Sequence, residues 1–209
     1  MEKLGNPAAL GLTGFGMTTV LLNIHNLVEG LGMNSPEPLF PLGSVILAMG
    51  IFYGGLAQVI AGIMEYRNQN TFATTAFTSY GFFWLSLVGL VMIPQLDFLN
   101  ASFSYTSFAF GWYLFMWGLF TFWMFIGTFR ESRALQVVFG TLFVLFWLLA
   151  AAEWTGIKAL LALAGAEGIL CGLSAMYTAA AIVLNDLYKR TVLPICPVET
   201  GQEGMKDLK

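Results

Sequence analysis

The chain has 209 residues, of which 57% are apolar, 15% aromatic and only 10% charged, with a net charge of −3. A soluble domain carries about 25% charged residues, so this balance excludes an ordinary soluble fold and points to a membrane. Nine Lys and Arg are spread along the chain without a basic patch, which excludes nucleic-acid binding. Of the two cysteines, Cys171 lies in an apolar run and Cys196 near the C-terminus, so they suggest neither a disulfide nor a metal site.

A membrane-spanning helix needs about 20 apolar residues. Six candidate spans meet that length, at about 8–28, 42–64, 73–93, 107–129, 134–152 and 159–185. The expected fold is therefore an all-α integral membrane protein with six transmembrane helices in a lipid bilayer. No cleavable signal peptide is expected ahead of the first span, which would itself direct insertion. Asn6-Pro7 reads as a helix start, because Asn caps helix N-termini and Pro suits the first turn. The link from Gly30 to Pro41 holds three prolines and breaks the helix. Asn70 or Thr71 is a candidate cap for span three, and Arg130 to Arg133 form the turn between spans four and five. The transport domain is expected to cover residues 1–190, with a polar tail over 191–209.

With both termini inside, eight basic residues fall on the cytoplasmic side and only Lys158 outside. That asymmetry, and the even number of spans, place both termini in the cytoplasm. Gly81-Phe82-Phe83-Trp84-Leu85 in span three faintly echoes Val144-Leu145-Phe146-Trp147-Leu148 in span five, as a chance match or an internal repeat.

Span one is the least lipid-like. Between Asn6 and Asn26 it carries three glycines, three threonines, further amides at Asn23 and Asn26, and the chain's single histidine, His25. Amides and hydroxyls are expensive in hydrocarbon unless they face protein or water, so they mark a path. At about 100° per residue, Phe15, Thr19, Asn23 and Asn26 share one quarter of the helix surface. The expectation is that this stripe faces a narrow conduit and not a neighbouring helix.

Elsewhere, Gln58 in span two either lines a pore or bonds between helices. Thr78 and its neighbouring hydroxyls either line a path or bond the preceding turn. Tyr80 either narrows a pore or fills the core. Glu167 is the only carboxylate well inside a span, and an aqueous vestibule or altered protonation would each account for it. His25 is structural or a proton relay, with structure preferred. Glu65, Glu153 and Asp186 are expected to be solvated at the interface. The many glycines suit close helix contact, within a subunit or between subunits. No deep Lys or Arg is present, so multivalent anions are not the expected cargo. There is no metal cluster, phosphate loop or catalytic triad, so an enzyme and a cofactor are not expected. The groups available suit a small carboxylate whose methyl meets rings while its oxygens meet donors. A pore for a neutral solute such as ammonia or urea is the alternative, and a scaffold or sensor without transport is a third reading.

Asn6-Pro7-Ala8-Ala9-Leu10-Gly11-Leu12-Thr13-Gly14-Phe15 resembles the N-terminal signature of the acetate uptake transporter family, apart from Ala9, where that family has a second Pro. Gly16-Met17-Thr18-Thr19, Leu47 to Gly55, Asn70-Thr71-Phe72, Ala76 to Gly81 and Arg190 to Ile195 are similar to its bacterial succinate–acetate branch. The resemblance implies passage of acetate, and of succinate or other short monocarboxylates, as a channel or with a proton. It implies a plasma-membrane hexamer, the inner membrane in a Gram-negative cell, with one pore per protomer. It implies a constriction at Phe15, Tyr80 and Leu142, and a role in substrate size for Ala175. The substrate pathway expected from all of these readings comprises Asn6, Phe15, Thr19, Asn23, Asn26, Gln58, Thr78, Tyr80, Leu142 and Ala175.

Overall fold

The computed structural model describes residues 5–33, 42–95 and 105–198. Among the described residues seven α-helices follow in order: α1 (Ala8–Gly30), α2 (Leu42–Ile51), α3 (Gln58–Arg67), α4 (Thr71–Met92), α5 (Ser107–Gly127), α6 (Arg133–Thr155) and α7 (Lys158–Tyr188). A π-helical stretch, Phe52–Ala57, joins α2 to α3. Six helical segments are long and apolar enough to cross a membrane, with α2 and α3 forming one of them. The all-α, six-span expectation holds, and the last span is the longest, at 31 residues.

Local chemistry sets where the helices begin. The Asn6 side-chain oxygen accepts from the Ala8 amide at 3.0 Å, so α1 starts one residue later than the Asn-Pro reading suggests. Asn70 caps α4 by accepting from the Ala73 amide, also at 3.0 Å. Thr106 and Ser132 do the same for α5 and α6, each at 3.2 Å. Each cap satisfies an amide that the first helical turn leaves without a partner.

Three antiparallel helix pairs build the body. In the first, α1 lies along α7 with almost no spacer: a Cβ on Gly16 would sit 2.7 Å from the Gly172 carbonyl oxygen, and one on Gly172 would sit 2.7 Å from that of Gly16. Only glycine permits that approach, which is how helices associate when the hydrophobic effect no longer drives them together. The other two pairs, α2–α3 with α4 and α5 with α6, repeat one device. Trp84 of α4 packs against Gly54, and Trp147 of α6 packs against Gly118. Phe83 and Phe146, each one residue before its tryptophan, meet edge to face with centroids 5.1 Å apart. The echo between spans three and five therefore has a structural counterpart.

Residues 191–198 are not a free tail. Asn185 receives the amides of Val192 and Leu193 on its side-chain oxygen and donates to the Leu193 carbonyl. Tyr177 donates to the Pro194 carbonyl at 2.9 Å. The amides of Arg133, Ala134 and Val198 tie the strap to the α5–α6 turn. Residues 199–209 of the expected tail lie outside the described residues.

Candidate functional site

The π-helical stretch positions the first polar group of the site. Its wider turns put Gln58 at the start of α3 facing inward, 1% exposed, with its side-chain nitrogen donating to the Gly54 carbonyl at 2.8 Å. Such single-turn insertions concentrate at functional sites. Gln58 borders a cavity of about 790 Å³ that runs into the bundle from the end holding the N-terminus.

The cavity's mouth is formed by Gly5 and Asn6, the α3–α4 turn from Arg67 to Asn70, Glu131 and Ser132 of the α5–α6 turn, and Ile195 and Pro197 of the strap. Both described chain ends thus lie on one side of the bundle. The walls are mostly apolar, from Leu12 on α1, Phe72, Ala76 and Phe77 on α4, and Leu135, Val138 and Phe139 on α6. Thr178 on α7 adds a hydroxyl.

The inner end is a ring of Phe15, Tyr80 and Leu142, all 5% exposed or less. The Phe15 and Tyr80 rings lie 6.1 Å apart between centroids. Tyr80 also meets Phe120 at 5.5 Å and Phe139 at 6.0 Å. Its hydroxyl turns away from the cavity and donates to Thr121 on α5 at 2.9 Å. The ring therefore presents carbon to whatever arrives, while its one polar atom is held by the wall.

Of the ten pathway residues expected from sequence, Asn6, Phe15, Gln58, Tyr80 and Leu142 line this cavity, and Thr19, Asn23, Asn26, Thr78 and Ala175 do not. Asn23 lies eight residues past Phe15, or about 12 Å further along the helix. There it donates to the Thr19 carbonyl, accepts from Asn26 at 3.1 Å and packs on Gly168 of α7. Asn23 thus faces a neighbouring helix, not the cavity. The Thr19 hydroxyl oxygen is buried without a partner. Thr78 packs against Gly62 of α3, and Ala175 is sealed between helices.

Four residues escaped the sequence reading: Glu65, Thr121, Phe139 and Thr178. Glu65 is the clearest correction, since it is 3% exposed and lines the cavity where a solvated interfacial carboxylate was expected. It follows Gln58 by seven residues, two helical turns, so it shares that residue's inward face. Glu153 is half-buried and Asp186 exposed. His25 faces Glu29 at 3.4 Å, beyond the cavity. Glu167 turns both carboxyl oxygens inward without a hydrogen-bond partner. No cluster of potential metal ligands occurs among the described residues.

The model of the GPR1/FUN34/yaaH family matches residues 1–199. The chain belongs to that family. Among its GPR1/FUN34/yaaH relatives is the succinate-acetate/proton symporter SatP of Escherichia coli K12, 52% identical over 196 residues, spanning 92% of this chain and 96% of that protein. The ammonia transport outward protein 2 of Saccharomyces cerevisiae is 38% identical over 184 residues, spanning 87% of this chain and 62% of that protein. Among solved structures, that of the bacterial acetate channel SatP superposes with a TM-score of 0.84 at 50% identity, covering 92% of this chain and 99% of the other. These two GPR1/FUN34/yaaH relatives are thus named for transport, and the solved structure for a channel.

Proposed function

We propose that this protein carries acetate, together with a proton, across the plasma membrane through a pore within each protomer. Succinate and other short monocarboxylates are secondary cargo. It is a passage and not an enzyme. The observation that carries the reading is the apolar ring of Phe15, Tyr80 and Leu142 closing a cavity whose mouth is polar.

A bare carboxylate pays several kcal/mol to leave water without a compensating partner, whereas the neutral acid pays far less. A ring of two aromatic faces and one leucine therefore favours the protonated form, and its width favours a two-carbon acid over longer ones. Gln58 and Thr178 offer the acid's oxygens hydrogen bonds on the way. Asn6 is part of the entrance. Thr19, Asn23 and Asn26 belong to the far side of the ring, which must open to let cargo pass, while Thr78 and Ala175 shape the helix contacts around it. The similarity to SatP supports acetate as cargo. The excess of basic residues on the side of the termini supports a cytoplasmic location for both ends, and assembly as a homohexamer follows from the family resemblance.

The test is uptake of labelled acetate into vesicles containing the purified protein, with and without a pH gradient, against protein-free vesicles. Flux above the protein-free level that responds to the gradient is expected, and its absence sinks the reading. The yeast relative named for ammonia supports a second reading, passage of a small neutral base. Protein-dependent ammonia flux without acetate flux would favour that alternative.

A further inference from the structure

We propose that Glu65 is the proton-binding residue of the cavity, exchanging a proton with the cargo between the mouth and the ring. This rests on the acetate reading above. Four titratable side chains line the cavity: Glu65, Arg67, Tyr80 and Glu131. Arg67 and Glu131 are exposed at the mouth, and the Tyr80 hydroxyl is held by Thr121. Glu65 is the one buried carboxyl group among them.

Its surroundings do not fix it as a structural anion. Among the described residues, no ion pair includes it. The Asn68 amide is its nearest side-chain donor, at a long 3.5 Å. The Ala8 amide on α1 and the Asn70 side chain at the head of α4 are further hydrogen-bond donors to it, and Glu131 adds a like charge from the α5–α6 turn. Arg67 lines the same wall without pairing to it. A carboxylate that only stabilised the fold would pair with that arginine or take short hydrogen bonds.

The exchange balances simply. Neutral acid that has crossed the ring gives its O–H proton to the Glu65 carboxylate. One O–H bond breaks and one forms, leaving acetate and a neutral Glu65. The anion departs through the polar mouth, and Glu65 then releases its proton to bulk water there. Run backwards, the same steps load the acid for export. Gln58, seven residues away on the same face and closer to the ring, hands the cargo between the two positions.

Glu65→Gln keeps the shape and an acceptor oxygen for Asn68 but cannot bind a proton at neutral pH. The measured quantity is the ratio of gradient-driven acetate accumulation to gradient-free acetate exchange, in vesicles with each variant folded by its melting curve. A fall of roughly tenfold or more is expected for Glu65→Gln. Glu65→Asp, which restores an ionisable group, should recover the response with a shifted pH profile. An unchanged ratio in Glu65→Gln overturns the assignment, as does a wild type that exchanges acetate but ignores the gradient. A wild type with no acetate flux at all instead removes the transport reading beneath it.

Discussion

The Tyr80 hydroxyl donates to Thr121 Oγ1 at 2.9 Å, and that oxygen donates onward to the Trp117 carbonyl at 2.7 Å. The Tyr80 ring on α4 is thus anchored to the body of α5 through one hydroxyl. Tyr80→Phe removes the anchor and keeps the ring, at a cost of about 1 kcal/mol for one buried hydrogen bond. Tyr80→Ala removes both and leaves a void, at a cost of about 3–5 kcal/mol. Only the alanine should admit longer acids, and Phe15→Ala should do the same from the opposite wall. Uptake of acetate against a four- to six-carbon acid reads the difference. An unchanged ratio in the alanine variants removes the ring as the size filter.

The contact between Gly16 and Gly172 gives a prediction about stability alone. Each Cβ would land 2.7 Å from the other glycine's carbonyl oxygen. Backbone on both sides leaves no flexible side chain to move aside. Gly16→Ala or Gly172→Ala should therefore cost about 1–3 kcal/mol by overpacking, and the double variant less than the sum, because one helix shift relieves both. Thermal melts of the detergent-solubilised protein measure this. An alanine at either site that melts with the wild type would show that the α1–α7 seam is looser than drawn.

The six spans were legible because hydrocarbon thickness sets their length, and turn chemistry at Asn70 marked the start of the third. Phe15, Gln58 and Tyr80 were legible as polar or aromatic interruptions of apolar helices. The limit lay in direction. A stripe on α1 shares a face, but a sequence does not say whether that face meets a cavity or another helix. The stripe splits at the ring, with Phe15 on the cavity and Asn23 against Gly168. Glu65 was misjudged because it lies close to the end of a span, where solvation is the usual outcome. Its seven-residue spacing from Gln58 was the signal that outweighed position. The strap over 191–198 was hidden because what anchors it is two side chains of the preceding helix, Asn185 and Tyr177, and a few backbone amides at the α5–α6 turn.

Sidedness can be read with a native residue. Cys196 is exposed beside the mouth, and Cys171 is completely buried, so a membrane-impermeant maleimide reports on Cys196 alone. With the mouth in the cytoplasm, as the distribution of basic residues implies, intact cells should leave Cys196 unlabelled while inverted vesicles label it. Lys158→Cys at the start of α7 should show the opposite pattern. Labelling of Cys196 from outside would invert the topology, and with it the direction of proton release from Glu65.

Asn185 makes the sharpest prediction about the mouth. Its side-chain oxygen accepts from Val192 at 2.6 Å and Leu193 at 3.0 Å, while its nitrogen donates to the Leu193 carbonyl at 2.8 Å. Asn185→Ala loses all three bonds, and Asn185→Asp keeps both acceptor contacts while losing the donor. The alanine should cost about 1–3 kcal/mol of local stability and the aspartate less. Because the strap carries Ile195 and Pro197 into the cavity lining, its release opens the mouth without touching the ring. Trypsin should then cut faster at Lys189 and Arg190 in the alanine variant, with the aspartate intermediate between it and the wild type. With Phe15, Tyr80 and Leu142 as the proposed size filter, the preference for acetate over longer acids should persist. A change in that preference with unaltered cleavage would mean that Asn185 acts on the ring through α7, and not through the strap.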